Sequence, residues 1–334
     1  MSENRYPAGN APAPWQIGEI KKPTNPASNR CLCPDLGVLL SVERQQDSKI
    51  AKPARNEPAP SAQHGSGEAV TDRAERLARL ARGWDEAADG YEAYFVPRFA
   101  PWVAAAVRAL PADPLPAGPV LVPCCGTFPE LDALAEHLPG REIVGIDLSA
   151  GMVARAGERA TRHPGARAIQ GDASTVDDHW LGRCAAVVSV FGLQQLPEPA
   201  HAVRSWVGAL RPGGWLSVVF WPGDTEAEGP FAVLAGVLRA HVPPSDRSWE
   251  RHIAPVLTGA GAVVERDERP AHPMSHPDAA AFFDAYTRSG PLRPLADARG
   301  AAFVARLRDE FLRRSPAGVW RHRPHARHLV ARRG

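Results

Sequence analysis

Two adjacent cysteines and a glycine interrupt the apolar segment VLVPCCGTFPEL, residues 120–131. Spaced cysteines bind metals or exchange disulfides, whereas a glycine turn between a strand and a helix lets the backbone approach a phosphate or nucleoside. Cys124 and Cys125 lack the C-x-x-C spacing, and no G-K-[ST] follows to form a phosphate loop. We therefore interpret the cysteines as small residues in a tight turn, expect no metal site, and place Gly126 nearest to a ligand.

Two aspartates stand where the strands after this turn are predicted to end. Asp147 closes the run EIVGID, and Asp172 closes ARAIQGD. A carboxylate at such a position can accept hydrogen bonds from ribose hydroxyls, and a second can accept an adenine amino group. A single aspartate at a strand end is more often a helix cap or turn former, but the order of turn, acid and acid favours a nucleoside-type ligand.

Alternating strands and helices are needed to bring these residues together. Strands are predicted at 119–123, 142–147, 166–172, 185–191, 215–221 and 261–268, with a last one in ARHLVARR. Because the first five are apolar throughout and separated by amphipathic helices, they indicate a parallel sheet covered on both faces, a doubly wound α/β fold. Ligands bind beyond the carboxyl ends of such strands, where the turn and both aspartates lie.

The composition of the chain changes near Asn56. All four lysines and all five asparagines lie at or before that residue, and the N-terminal part is rich in Pro, Ser and Gln, so we predict a disordered tail over residues 1–66. The folded domain is predicted over 67–334. Its parts are N-terminal helices (67–112), a ligand-binding core (118–222), elements around a second substrate (223–300) and a C-terminal helix and strand (301–334).

Composition also argues against several classes of protein. The net charge of +2 disfavours a nucleic-acid partner, and no apolar run approaches the ~18–20 residues of a membrane helix. We recognise no signal peptide, and five cysteines without paired spacing favour a reducing compartment. We expect a cytoplasmic protein without membrane or nucleic-acid partners. The sequence leaves its oligomeric state open.

Six segments in this order resemble the class I S-adenosylmethionine-dependent methyltransferases, in particular the small-molecule branch of ubiquinone/menaquinone-biosynthesis methyltransferases (methyltransferase type 11). The segments are WDEAADGYEAYF, VLVPCCGTFPEL, IVGIDLSAGMVARA, AIQGDAST, VVSVFGLQQLPEP and LRPGGWLSVVFW. The resemblance implies a seven-stranded, mostly parallel, Rossmann-like sheet with N-terminal helices and a helical lid insertion. It also implies S-adenosyl-L-methionine as the cofactor and a small-molecule acceptor.

The resemblance assigns cofactor contacts to twelve residues, namely Tyr91, Pro123, Cys124, Cys125, Gly126, Asp147, Leu148, Met152, Asp172, Ala173, Ser189 and Val190. The turn at 123–128 would hold the methionine moiety, and Asp147 would bind the ribose. The residues at 148 and 152 would border the adenine, and those at 172–173 would read its edge. Residues 189–191 would form the floor beneath the sulfonium. Tyr91 would cover the amino-acid end, unless it is a core aromatic only.

The first loop departs from the family pattern D-x-G-x-G-x-G. Val122 stands at the acid position, Cys124 at the first glycine and Phe128 at the last. The acid is a usual partner of the cofactor's ammonium, and the Phe128 ring must turn away from the methionine site to leave it open. A non-catalytic S-adenosylmethionine-binding protein or pseudoenzyme is therefore an alternative. A nicotinamide-dependent oxidoreductase is disfavoured, because G-x-G-x-x-G is missing and no lysine follows Lys52.

Methyl transfer from a sulfonium is an in-line displacement, in which the protein holds acceptor and methyl group in a near-attack geometry and excludes water. We assign no catalytic residue, because a base is needed only if the acceptor must lose a proton. FGLQQLPEP replaces the NPPY of enzymes that methylate amino groups of nucleic acids, which favours a small, partly apolar acceptor. Candidates for its pocket are Trp221, His241, His252, His272, His276, Gln194 and Gln195.

Overall fold

The computed structural model describes residue 75, residues 77–243 and residues 245–334. The tail predicted over residues 1–66 lies outside the described residues, as does the start of the predicted domain at 67–74.

Nine strands are present in the described part of the chain, and seven of them form one sheet. They are β1 (Val120–Pro123), β2 (Ile143–Asp147), β3 (Ala166–Gln170), β4 (Cys184–Val190), β5 (Leu210–Phe220), β6 (Ala262–Glu268), β7 (Met274–His276), β8 (Trp320–His322) and β9 (Arg327–Arg333). The sheet order is β3-β2-β1-β4-β5-β9-β6, parallel from β3 to β5 and antiparallel around β9. The predicted doubly wound, mostly parallel seven-stranded sheet is confirmed. The direction of winding reverses between β1 and β4, where such sheets bind ligands.

Helices flank this sheet, and their bounds follow the apolar periodicity of the sequence. They are α1 (77–85), α2 (Ala88–Tyr94), α3 (Val96–Arg108), α4 (Leu131–His137), α5 (Ala150–Ala160), α6 (Pro199–Ala209), α7 (Pro230–Leu238), α8 (Trp249–Gly259), α9 (Ala279–Arg288), α10 (Arg293–Arg299) and α11 (Ala301–Arg313). Ser149 caps α5, since its hydroxyl accepts a hydrogen bond from the Met152 amide. No helix among the described residues is both long and apolar enough to cross a membrane.

Two hydrophobic cores lie on opposite faces of the sheet. Along β1, Val120 and Val122 belong to one core and Leu121 to the other. Trp102 of α3 packs in the first core, and Trp206 of α6 packs in the second. Successive side chains of a strand point to opposite faces, so a strand buried on both faces reads as an unbroken apolar run.

The structure differs from the sequence prediction in the local elements. The segment RPGG, which precedes the strand predicted at 215–221, lies inside β5, whose Leu210 pairs with Cys184 before the register shifts. The short helix α10 and the antiparallel pair β7–β8 were not predicted. Strands of three residues are too short to show a hydrophobic period, which is why the sequence gives no sign of them.

A buried chain of polar side chains fastens the β7–β8 pair to the helices. Tyr94 Oη and His276 Nδ1 share a hydrogen bond of 2.7 Å, His276 Nε2 and His322 Nε2 lie 3.0 Å apart, and His322 Nδ1 contacts Glu226 Oε2 at 2.7 Å. The amide of Phe231 donates to the other oxygen of Glu226. Burial lowers the pKa of His276 to about 3. In a neutral His276, one ring nitrogen donates a hydrogen bond and the other accepts one, so both contacts of the ring can be hydrogen bonds.

Candidate functional site

A cavity opens at the carboxyl ends of β1, β2 and β4, beside the point where the winding of the sheet reverses. It encloses about 1050 Å³ of empty space, open mouth included. The first loop, the strand-end aspartates, residues 190–192 and 194–197 at the end of β4 and beyond it, and helices α1 and α2 contribute to its wall. The sequence predicted a ligand at this carboxyl edge of the sheet.

The first loop is held in shape by left-handed backbone and by bonds to the end of β2. Cys124, Gly126 and Phe128 have φ of 56°, 52° and 66°, a region that glycine adopts freely and other residues rarely do. The Cys125 amide donates to the Ile146 carbonyl (3.0 Å), and the Phe128 amide donates to the Cys125 carbonyl (2.8 Å). The loop therefore turns back within five residues and leaves Gly126 facing the cavity.

Asp147 lines the cavity and is hydrogen-bonded to the first loop. Its Oδ2 accepts from the Gly126 amide (2.8 Å), and its Oδ1 accepts from the Ser149 amide (3.0 Å). Burial raises the pKa of Asp147, although these amides act in the opposite direction. Because each carboxylate oxygen has two lone pairs, Asp147 can still accept one bond per oxygen from a ligand.

Phe128 and Val122, the two apolar departures of the first loop, lie in the same hydrophobic core, and both are fully buried. Neither lines the cavity. The Phe128 ring packs against β2, where a Cβ placed on Gly145 would lie 3.0 Å from Phe128 Cε1 and 2.7 Å from Cys125 Sγ. The ring is therefore turned away from the predicted methionine site.

The cysteine pair serves packing. Cys124 approaches Gly192 so closely that a Cβ on Gly192 would lie 2.3 Å from Cys124 Cβ. Burial raises the pKa of both Cys124 and Cys125 well above the ordinary thiol value, and Asp147 adds to the effect, so both are thiols at neutral pH. Cys124, Cys125 and Cys184 are free. The described residues contain no cluster of three or more His, Cys, Asp or Glu side chains arranged to hold a metal.

The residues predicted around the adenine come together on the wall. Leu148, Met152, Asp172 and Ala173 all line the cavity. Asp172 Oδ1 accepts from the Ser174 amide (2.8 Å), which fixes the turn after β3. The Ala173 carbonyl accepts from Trp206 Nε1 (2.8 Å), which ties this turn to α6.

Two of the twelve predicted contacts lie behind the wall instead. Ser189 donates from its hydroxyl to the Pro123 carbonyl (2.9 Å), and neither residue lines the cavity. This bond joins the ends of β1 and β4 directly beneath Val190, which does line the cavity. Pro123 and Ser189 thus support the floor.

Aromatic rings form the other end of the cavity. Tyr91 lines it and packs edge-on against Trp84, with ring centroids 5.8 Å apart. Phe191 and Trp221 also line it and stack in parallel at 4.2 Å, and Phe99 packs on Phe191 at 4.6 Å. Burial, and next Glu130, raise the pKa of Tyr91 above its ordinary value, so its phenol keeps its proton.

Of the residues predicted for the acceptor pocket, Trp221, Gln194 and Gln195 line the cavity, and the four histidines do not. His241 pairs with Glu310, His252 contacts the Ser248 carbonyl, His272 packs on Trp102, and His276 belongs to the buried chain described above. In the described part of the chain, the residues that line the cavity include no Lys, Arg or His, but they include three carboxyl groups, those of Glu130, Asp147 and Asp172.

Glu130 is a wall residue that sequence reasoning did not select. It precedes α4, is 1% exposed, and has an Oε2 without a hydrogen-bond partner. Burial raises its pKa to about 8, although its own amide, Arg159 and the Val190 amide act to lower it. A charged residue seven positions from the β1 strand end has no motif of its own, so only its burial reveals it.

Helices α1 and α2 are fastened over the cavity by acids, which sequence reasoning also missed. Asp85 accepts from the Ser149 hydroxyl (2.6 Å) and from the Gly151 amide (2.9 Å) at the start of α5. Glu92 pairs with Arg159 of α5 at 2.6 Å. The acids of WDEAADGYEAYF were the available signal, but only the fold shows what they contact.

Comparisons with known proteins agree with this geometry. A family model described as a methyltransferase domain matches residues 120–214, which include the first loop and both strand-end aspartates. The trans-aconitate 2-methyltransferase of Deinococcus radiodurans is 30% identical over 199 residues, 56% of this chain and 74% of the relative.

Solved structures also align with the chain. The YcgJ protein from Bacillus subtilis aligns with 69% of this chain and 97% of its own length at 13% identity, with a TM-score of 0.47. Geranyl diphosphate C-methyltransferase from Streptomyces coelicolor A3(2) aligns with 70% and 76% at 13% identity, with a TM-score of 0.41.

Proposed function

Because the chain belongs to the class I S-adenosylmethionine-dependent methyltransferases and is an enzyme of that class, we propose that its cavity binds S-adenosylmethionine beside a small, uncharged, largely apolar acceptor. The observation that carries the proposal is the joining of Gly126 and Asp147 on one wall by a 2.8 Å hydrogen bond, with Asp172 lining the same cavity.

The residues present fit this cofactor. A Cβ on Gly126 would have no neighbour closer than 4.0 Å, so the cradle there is open to a ligand. Asp147 has acceptor capacity for ribose hydroxyls, Leu148 and Met152 offer apolar contact to a base, and Asp172 offers an acceptor for an amino group. The cofactor has a net positive charge, which suits a wall with three carboxyl groups. When bound, it supplies a methyl group activated by the sulfonium.

The non-catalytic alternative is not supported. Its grounds were the side chains of Val122 and Phe128, and both are buried in the core instead of the cavity. The matched relative is itself a methyltransferase by name.

The acceptor is proposed from the aromatic end of the cavity. The parallel stack of Phe191 on Trp221, with Phe99 beside it, gives a flat apolar wall for a planar or aliphatic molecule. Aconitate, named for the Deinococcus relative, carries three carboxylate groups. Among the described residues that line the cavity, the side chains are acidic or neutral, and none of them is a cation that could pair with such an anion. We therefore do not propose aconitate as the acceptor of this protein.

The chain's own residues position and desolvate the reactants. Asp85 and Glu92 hold α1 and α2 over the cavity and so exclude water. The protonated Tyr91 phenol is available as a hydrogen-bond donor. No histidine or lysine among the described lining residues is available as a base, which suits an acceptor whose nucleophilic atom needs no deprotonation.

Two measurements test the proposal. Calorimetric titration with S-adenosylmethionine and S-adenosylhomocysteine should give saturable 1:1 binding, and no binding at millimolar ligand would refute the cofactor assignment. The release of S-adenosylhomocysteine should then be followed with neutral aromatic and aliphatic compounds that carry a thioether or a pyridine-type nitrogen and, in parallel, with aconitate. Turnover of aconitate alone would refute the acceptor class and leave the cofactor assignment intact.

A further inference from the structure

Resting on the proposed cofactor, we infer that Glu130 binds the cofactor's α-ammonium group and replaces the acid that is missing at Val122. Compared with the family pattern, the acid that contacts the ammonium group thus lies at the start of α4 instead of at the end of β1. Val122 and Phe128 are packed in the core beside the loop, whereas Glu130, which follows the loop, lines the cavity.

The unpaired oxygen of Glu130 is the first argument. A buried carboxyl oxygen without a donor is rare in folded proteins and costly, because it has lost water and gained nothing. Glu130 is 1% exposed, and its Oε2 has no partner among the described residues. A ligand that brings an N–H or O–H group to this oxygen removes that cost.

The charges and positions of the cofactor's groups indicate that the donor to Glu130 Oε2 is an ammonium group. A sulfonium has the right charge but no hydrogen to donate, whereas an ammonium has three N–H donors. The ribose hydroxyls have an acceptor in Asp147, whose two oxygens lie at Gly126 and Ser149. Glu130 lies near Tyr91, and its charge is the first after burial to raise the pKa of that phenol. The amino-acid end of the cofactor is predicted there.

Arg159 does not donate the hydrogen bond that Glu130 Oε2 lacks. Its guanidinium is occupied by the Thr127 carbonyl (3.1 Å), Glu92 (2.6 Å) and Asp132 (3.2 Å). It attracts the Glu130 carboxylate through space, but no hydrogen bond joins them in the structure.

Proton release gives the inference a second, independent readout. With a pKa raised by burial to about 8, Glu130 is mostly protonated at pH 7 before a cationic ligand binds. An ammonium group favours the carboxylate, so binding should expel about one proton and strengthen about tenfold per pH unit from pH 6 to 7. In that range the α-ammonium keeps its charge.

The test compares two ligands on two variants. S-adenosylhomocysteine carries the amino-acid moiety, and 5′-methylthioadenosine carries the same adenosine thioether without it. In Glu130→Gln, the dissociation constant of S-adenosylhomocysteine should rise by about ten- to a hundredfold, and that of 5′-methylthioadenosine should change less than threefold. Glu136→Gln, an exposed change on the same helix α4, is the matched control and should alter neither.

The outcomes separate this inference from the proposed function. If the wild-type protein binds neither ligand, the cofactor assignment itself fails. If it binds both, but Glu130→Gln changes them equally or not at all, only the role of Glu130 is refuted. Unchanged binding with slower turnover would assign the carboxyl to the acceptor and also refute it. Should Glu130→Gln not fold, the wild-type protein decides: a pH dependence shared by both ligands would overturn the inference.

Discussion

The position of the Phe128 ring decides whether the first loop is open, and replacing it with alanine or glycine tests that position. The ring is fully buried against β2, and the residue has φ of 66°. We expect both Phe128→Ala and Phe128→Gly to destabilise the protein, but the glycine variant to be the more stable of the two.

The magnitude follows from two terms. Removing a fully buried phenylalanine ring costs about 3–5 kcal/mol of unfolding free energy through lost burial and the cavity left behind. A left-handed conformation costs an L-residue about 1–2 kcal/mol, which glycine avoids, while glycine loses about 0.5–1 kcal/mol through the freedom of the unfolded chain. The unfolding free energy of Phe128→Gly should therefore exceed that of Phe128→Ala by about 0.8 kcal/mol, the difference between the midpoints of these two ranges.

Urea denaturation with both variants measures this difference at unchanged m-value. Leu134→Ala and Leu134→Gly, at a fully buried position inside helix α4, provide the control, because there alanine should be the more stable. The same order at both positions would refute the assigned backbone of the loop. Binding of S-adenosylhomocysteine that tightens tenfold in both Phe128 variants would show that the ring occupies the cofactor site.

Three further predictions follow from the bonds around the cavity and the buried chain. Asp147→Asn leaves one amide, at Gly126 or at residue 149, without its acceptor, and should weaken S-adenosylhomocysteine binding by about 1–3 kcal/mol in calorimetry; unchanged affinity would remove Asp147 from the site. Without ligand, the native state binds more protons at Glu130 than the unfolded state does between pH 4.5 and about 8, so stability falls across this window by roughly 3–5 kcal/mol. Thermal unfolding of Glu130→Gln should show a shallower decline, and an identical profile would contradict the raised pKa. His322→Ala leaves Glu226 buried without its imidazole partner and should cost about 3–5 kcal/mol of unfolding free energy in chemical denaturation. A loss below 1 kcal/mol would mean that the buried chain of polar side chains contributes little to stability.

The sheet and the main helices could be predicted because their signals are local. Unbroken apolar runs mark strands buried on both faces, and the order of these runs places the first loop, Asp147 and Asp172 at one edge. The helix that Ser149 caps follows from the same short-range rules. Strands too short to show a repeated hydrophobic period, such as the three-residue β7 and β8, leave no comparable trace.

The composition of the cavity wall depended on contacts between distant parts of the chain. Asp85 reaches α5 across 64 residues, and the link from Ser189 to Pro123 spans 66, so neither appears in any local pattern. The sequence by itself determined the sheet, its order of motifs and the strand-end acids, because hydrophobic period and chain order are sufficient for these. Only the tertiary structure decided that Phe128 faces the core and Glu130 the cavity. Which way a side chain points from a left-handed turn depends on the backbone around it and on the space that β2 and α4 leave open.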